Sequence, residues 1–281
     1  DIKSGKVVVD YNYNKWIYFP YTGMIGFKDG GTIANPSDDK VRFFNKSLSD
    51  LPSNNVTALA VDFDNKIWIG TDMGFAILYN SNGVFDAAQG SSKVQRIKLD
   101  FQGQPEFMLG YTHITDIEID GGNRKWMGTS GAGVFLLSAD GTEIIQHFTT
   151  ENSKLVSDNI VDMQINHSTG ELFIITDKGM VSYRSDATYE DPEYSDVIVF
   201  PNPVKPEFNG WITIQGIKYN SDIRITDVAG NLVYKTTSNG GTAAWNGKNT
   251  AGEKVKSGIY LIWTASNDGK GRKVGKVTII N

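Results

Sequence analysis

The chain contains no cysteine, which excludes disulfides, thiolate nucleophiles and cysteine metal ligands while leaving the compartment open. It has only three histidines, His113, His147 and His167, and no two share a metal-ligand spacing, so no metal site is assigned. No apolar run approaches the roughly 20 residues of a membrane-spanning helix. Basic residues are too few for a nucleic-acid face: 27 Lys and Arg against 32 Asp and Glu give a net charge of −5. The patterns GxSxG and HExxH are missing, as is a phosphate-cradling glycine loop followed by Lys-Ser/Thr. No residue is assigned a catalytic role, and no cofactor is implied.

What the 281 residues do have is 30 Gly, 14 Phe, 12 Tyr and 6 Trp: turns and aromatic strands in quantity. A hydrophobic content of 40% excludes a disordered chain. Residues 51–79, LPSNNVTALAVDFDNKIWIGTDMGFAILY, read as three short strands, at 56–63, 67–70 and 75–79. Runs of Val, Ile, Trp and Tyr punctuated by Asn, Asp and Gly are antiparallel sheet. The pattern returns at 114–137 (ITDIEIDGGNRKWMGTSGAGVFLL) and 155–183 (LVSDNIVDMQINHSTGELFIITDKGMVSY), with a divergent copy at 7–27. Asp62-x-Asp64-Asn65 has the opening of a calcium loop but lacks its Gly and distant Glu, so a hairpin turn explains it.

Aromatic residues in the second strand, Trp16, Trp68, Trp126 and Phe173, mark four units 52, 58 and 47 residues apart. Repeats of roughly 40–50 residues with four strands each are β-propeller blades. Outer strands are expected at 41–44, 93–100 and 144–149, and the fourth unit shows three strands only. Five residues before the first blade are too few to supply that missing strand, so the reading favours blades of a larger propeller over a closed four-bladed ring. The loops before the innermost strands should open on one face, hereafter the mouth. It gathers residues 51–55, 72–74, a long loop at 101–113, 130–133, 156–159 and 177–179. Candidate ligand-binding residues are Asn54, Asn55, Asp72, Met73, Phe107, Tyr111, Asp158, Asn159, Asp177 and Lys178. Turn geometry is the competing explanation for each Asn and Asp. Trp68 and Trp126 are expected as blade-to-blade core.

Residues 185–196, acidic and with Pro192, read as a linker between domain 1–184 and domain 197–281. From Val197 onward, seven short strands in some 85 residues, with turns at 229–231 and 267–269, have the count and spacing of an immunoglobulin-like β-sandwich. The fold class is all-β: propeller blades, then a sandwich.

The stretch NNVTALAVDFDNKIWIGTDMGFAIL resembles the two-component-regulator propeller repeat of bacterial sensor ectodomains and secreted proteins. The last 85 residues resemble the C-terminal domain of the type IX secretion system, which directs proteins across the outer membrane of Bacteroidetes. That likeness rests on Pro201, Asn202 and Pro203, on Gly230 in Asp227–Gly230, on Gly258 and Tyr260 in SGIY, and on Lys276 in the basic end. The stretch around residues 242–260 also resembles the sandwich of flagellar hook-cap assembly proteins. Propeller repeats followed by this tail resemble the PorZ family of type IX components. That resemblance implies a non-catalytic protein exported through a removed signal peptide to the extracellular face of the outer membrane. It also implies partners among the secretion machinery, the sortase included, and binding of anionic lipopolysaccharide or another glycan. Two further readings stay open: a secreted cargo whose tail is cut in or just after 189–196 and whose propeller binds or senses a polysaccharide, and a propeller hydrolase with carboxylates paired across blades.

Overall fold

A computed structural model describes residues 5–31, 34–101, 103–191, 194, 196–265 and 271–281. The chain divides into two compact units. One comprises Asp1–Ile119, Asn123–Ile165 and Leu172–Tyr183; the other comprises Asp120–Gly122, Asn166–Glu171 and Arg184–Asn281.

The first unit is a succession of antiparallel sheets in sequence order. The first sheet has β1 (Val7–Val9), β2 (Lys15–Phe19), β3 (Gly23–Lys28) and β4 (Lys40–Phe44). A single helical turn, α1 (Lys46–Ser49), follows, capped by the Asn45 side chain accepting from Ser47 and Leu48 N–H. The second sheet has β5 (Val56–Val61), β6 (Ile67–Thr71) and β7 (Gly74–Leu78), and a separate hairpin joins β8 (Lys98–Phe101) to β9 (Gln104–Phe107). The third has β10 (Ile114–Ile119), β11 (Lys125–Thr129), β12 (Val134–Leu137) and β13 (Ile144–Phe148). The fourth has β14 (Ile160–Asn166), β15 (Glu171–Thr176) and β16 (Gly179–Arg184).

Period-two alternation explains why these sheets stack as blades. On β6, Ile67 and Ile69 join the core shared with Trp16, Met24 and Phe44 of the preceding sheet. Trp68, between them, faces the opposite way into a core with Ile114, Ile117 and Met127 of the following sheet. Trp126 repeats the move one sheet later, packing with Ile160, Met163 and Leu172. A strand packed on both faces is buried throughout, as β6 and β11 are. Each such indole contributes about 2–3 kcal/mol by burial. Phe173 occupies the same alternation but is only half-buried: Leu172 and Ile174 face the preceding sheet as Ile67 and Ile69 do, and among the described residues no further sheet of this unit follows to cover the other face.

The turn opening each second strand repeats too. Asp10 Oδ1 accepts Asn12 and Asn14 N–H while Oδ2 accepts the Trp16 indole at 3.0 Å. Asp62 Oδ1 accepts Asp64 and Lys66 N–H while Oδ2 accepts the Trp68 indole at 2.8 Å. This Asx geometry, with Asn65 at φ 61°, is the hairpin turn expected in place of a calcium loop.

The outer strand expected at 93–100 is corrected. Among the described residues Gln95 alone bridges Ile77 of β7; the chain then leaves the sheet and Lys98–Phe101 pairs with Gln104–Phe107. The cause is apolar: Ile97 and Leu99 pack with Met108 on the core between the second and third sheets. The expected loop at 101–113 therefore contains a strand.

Among the described residues of the second unit, seven strands make two sheets. One is β17 (Ile198–Phe200), β18 (Ile212–Gln215) and β21 (Thr242–Trp245). The other orders β20 (Leu232–Thr237), β19 (Asp222–Thr226), β22 (Gly258–Ala265) and β23 (Gly271–Ile279). Between them Ile212, Ile214, Ile223, Ile225, Trp245, Ile262 and Val277 form one core. The expected turn at 267–269 lies outside the described residues, as do residues 192, 193 and 195 of the expected linker. The described linker residues are tied into this unit: Gly241 N–H donates to Thr188 O at 2.7 Å and Asp191 N–H to Ile217 O at 3.1 Å.

Candidate functional site

The mouth loops are held by a repeated device. Asn55 Nδ2 donates to Asp72 Oδ2 at 3.2 Å, and Asp72 N–H returns a bond to Asn55 O at 3.3 Å. Two sheets later Asn159 Nδ2 donates to Asp177 Oδ2 at 3.3 Å, and Asp177 N–H to Asn159 O at 3.3 Å. In the third sheet the backbone alone makes the tie, Ser130 N–H to His113 O at 3.0 Å. The hydroxyls of Thr71, Thr129 and Thr176 donate to the carbonyls of Gly74, Gly133 and Gly179, closing the three turns identically. The Ser157 hydroxyl, then the Asn159 amide, hold the Asp177 carboxyl below its usual range.

Thus Asn55, Asp72, Asn159 and Asp177 are engaged as turn partners. Asn54 accepts from Lys46 N–H at 2.7 Å, and Asp158 accepts from Thr150 N–H and hydroxyl at 2.8 and 3.0 Å. Met73 and Lys178 sit in these turns with exposed side chains, their N–H groups donating to Thr71 and Thr176 Oγ1.

The chemistry-bearing cluster lies where β9 leaves its hairpin. The Arg96 guanidinium stacks on the Phe107 ring with Cζ 3.7 Å from the centroid, and Lys98 Nζ approaches the same ring at 5.4 Å. Gly74 and Gly110 pass close to that guanidinium, since a Cβ on either would stand within 3.6 Å of Nη2. Arg96 Nε is buried without a hydrogen-bond partner, and burial lowers the group's pKa. Tyr111, at φ 64°, stands 79% exposed and Met73 39% exposed. Of these residues, Arg96 stacks on Phe107 and reaches the Met73 carbonyl through Nη2 at 3.5 Å. Sequence reasoning missed Arg96 and Lys98 because it placed residues 93–100 in an outer strand; their signal is a pair of cations facing Phe107 across a hairpin.

A second polar cluster sits on the innermost strands. Lys6 Nζ lies 3.6 Å from Glu118 and 4.0 Å from Asp116. Asp116 Oδ2 also accepts Met163 N–H at 2.9 Å, fastening β10 to β14. Burial, then the Asp116 carboxylate, push Glu118 up to about 7; burial raises Asp116 as well. Burial opposes the Lys6 charge, but Asp116, Glu118 and Asp162 together raise its pKa.

Two of the three histidines pack against rings: His147 stacks on Phe135 and bonds Ala132 O at 2.8 Å, and His167 stacks on Tyr189.

The tail-motif residues build the sandwich. Asn202, between Pro201 and Pro203, donates through Nδ2 to Lys276 O and accepts Thr278 N–H, both at 3.1 Å, pinning the first strand to the last. Gly230, at φ 88°, completes a turn in which Asp227 accepts Ala229 and Asn231 N–H. Gly258 opens β22 opposite Ile279, and the Tyr260 hydroxyl donates to Lys256 O at 2.8 Å beneath Trp245.

Residues 198–280 match the secretion system C-terminal sorting domain, and residues 50–73 match the two component regulator propeller. A solved structure of PorZ, an essential bacterial surface component of the type-IX secretion system of Porphyromonas gingivalis, aligns with 99% of this chain at 29% identity and a TM-score of 0.62. That likeness runs through residues of both compact units. The chain spans 39% of that PorZ chain. The extracellular domain of a hybrid two component system of B. thetaiotaomicron aligns with 99% of this chain and 44% of its own, at 14% identity and a TM-score of 0.45. A gluconolactonase from Xanthomonas campestris aligns with 64% of this chain and 71% of its own, at 11% identity and a TM-score of 0.32. These two are too distant to bear on function. No curated protein matches the chain.

Proposed function

We propose that this protein works at the outer face of the outer membrane as a non-catalytic component of the type IX secretion machinery. The reading has the propeller mouth binding an anionic glycan such as lipopolysaccharide, while the whole chain docks machinery partners, the sortase among them. The observation that carries it is the PorZ likeness, which spans propeller sheets and sandwich together. The Arg96–Phe107 stack beside exposed Tyr111 supports the glycan part, because a cation on an aromatic plane fits a charged sugar.

Removing the protein from its own cells tests the role. Cargo bearing sorting tails then stays unattached to the surface; normal attachment contradicts the reading. Binding of purified lipopolysaccharide to Arg96→Gln and Tyr111→Ala tests the mouth. Loss of binding supports it, and unchanged binding removes the mouth from the account.

A second reading is favoured by the sorting-domain match itself: the protein is cargo, its tail a disposable signal and its propeller a polysaccharide sensor.

A further inference from the structure

The second sheet of the sandwich presents an unusual outer face. Asp222 and Arg224 on β19 alternate with the core residues Ile223 and Ile225 and so point away from the core. Register places Arg224 directly opposite Trp263 on β22 and opposite Lys235 on β20. Lys235, Arg224 and Trp263 thus form one row across three strands, with neighbours about 5 Å apart.

Trp263 is 37% exposed, but it is not loose. Its indole N–H donates to Thr226 Oγ1 at 3.0 Å, a hydroxyl two residues along the neighbouring strand. That bond lays the ring along the sheet, so one face is left towards solvent. Arg224 is likewise oriented, Nε and Nη2 reaching Asp222 Oδ2 at 3.3 and 3.0 Å. Lys235 Nζ shares the same carboxylate at 3.5 Å, so two cations meet one anion and the row keeps a net positive charge. A shallow hollow of 570 Å³ lies over Asp222, Arg224 and Trp263, rimmed also by Gly230 of the Asp227–Asn231 turn, and Lys235 stands outside its lining, reaching it through the Asp222 carboxylate at 3.5 Å.

We infer that this hollow is a saccharide site for an acidic pyranose unit, its ring stacked on Trp263 and its carboxylate held by Arg224 and Lys235. A flat, pre-oriented indole matches the apolar C–H face of a sugar ring at little cost in side-chain ordering. The guanidinium beside it has its Nε edge taken by Asp222 and keeps its Nη1–Nη2 edge as the planar fork that a ligand carboxylate accepts. A neutral sugar would satisfy the ring and leave the surplus charge unmatched. The site belongs to the sandwich, so the inference goes beyond the proposed function and does not rest on it.

Titrating the full chain with tetragalacturonate, galactotetraose and inorganic phosphate, while following the indole N–H resonances, tests it. Tetragalacturonate is expected to shift the Trp263 resonance and to bind at least about tenfold more tightly than galactotetraose or phosphate. Trp263→Ala and Arg224→Gln should each weaken it about tenfold, with Trp263→Tyr retaining most of the affinity. Trp211→Ala, which removes another exposed indole (59% exposed), should change nothing. Unchanged binding in Trp263→Ala overturns the inference, as does equal affinity for the neutral sugar, or binding of phosphate alone. Binding lost in Arg96→Gln but kept in Trp263→Ala overturns it while leaving the mouth reading intact.

Discussion

Lys125 Nζ lies 3.2 Å from Asp62 Oδ2, and neither side chain has any exposed surface. The ammonium also donates to the carbonyls of Asn123 and Ala139 and stands 4.6 Å over the Trp68 ring. One carboxylate thereby closes a hairpin in the second sheet, orients its tryptophan and receives a lysine from the third. Burial lowers the lysine's pKa despite the pull of Asp62, so this pair is held by its surroundings rather than by attraction alone.

Removing one partner strands the other. Lys125→Ala is expected to lower unfolding free energy by about 3 kcal/mol. Lys125→Met, which keeps the volume, should recover part of that loss. Urea unfolding followed by tryptophan fluorescence measures both.

The two equivalent indoles differ in their bonds. Trp68 donates to Asp62, whereas Trp126 Nε1 is buried without a partner. Trp68→Phe should therefore destabilise by about 1 kcal/mol more than Trp126→Phe, although both lose similar ring area. Matched denaturant curves for the two variants decide it.

Glu118 makes stability depend on pH. Its folded pKa of about 7 lies above the ordinary 4.5, so the native state binds the proton more tightly than the unfolded chain. Stability should be highest below about 4.5 and decline as pH rises through about 7. Glu118→Gln should flatten that decline. Thermal unfolding between those limits, wild type against variant, reads the slope; parallel slopes would contradict the assignment.

Asn202 tests whether the tail motif is structural. Asn202→Ala removes both side-chain bonds to β23 and should destabilise the sandwich by about 1–2 kcal/mol. Hydrogen exchange at Thr278 N–H should rise with it.

Much of this architecture could be read in the residues themselves. Tryptophan spacing located the sheets, because an indole facing the next blade recurs wherever the stacking does. Seven alternating runs after Val197 became seven strands. Arg96 was not readable, since its partner Phe107 lies across a hairpin that looks like the end of a strand followed by a loop. The Asn55–Asp72 and Asn159–Asp177 pairs were visible as residues but not as pairs, because their partners are contributed by separate turns. Trp263 and Arg224 lie 39 positions apart in the chain and become neighbours only through strand register.

A machinery component and a cargo differ in whether the sorting domain stays with the protein. Intact mass of the protein isolated from the surface of its own cells measures this directly. A machinery component is predicted to retain residues 197–281 without a lipid or sugar adduct. A chain ending within 189–196 and carrying a heterogeneous glycolipid would contradict that prediction and make the protein cargo.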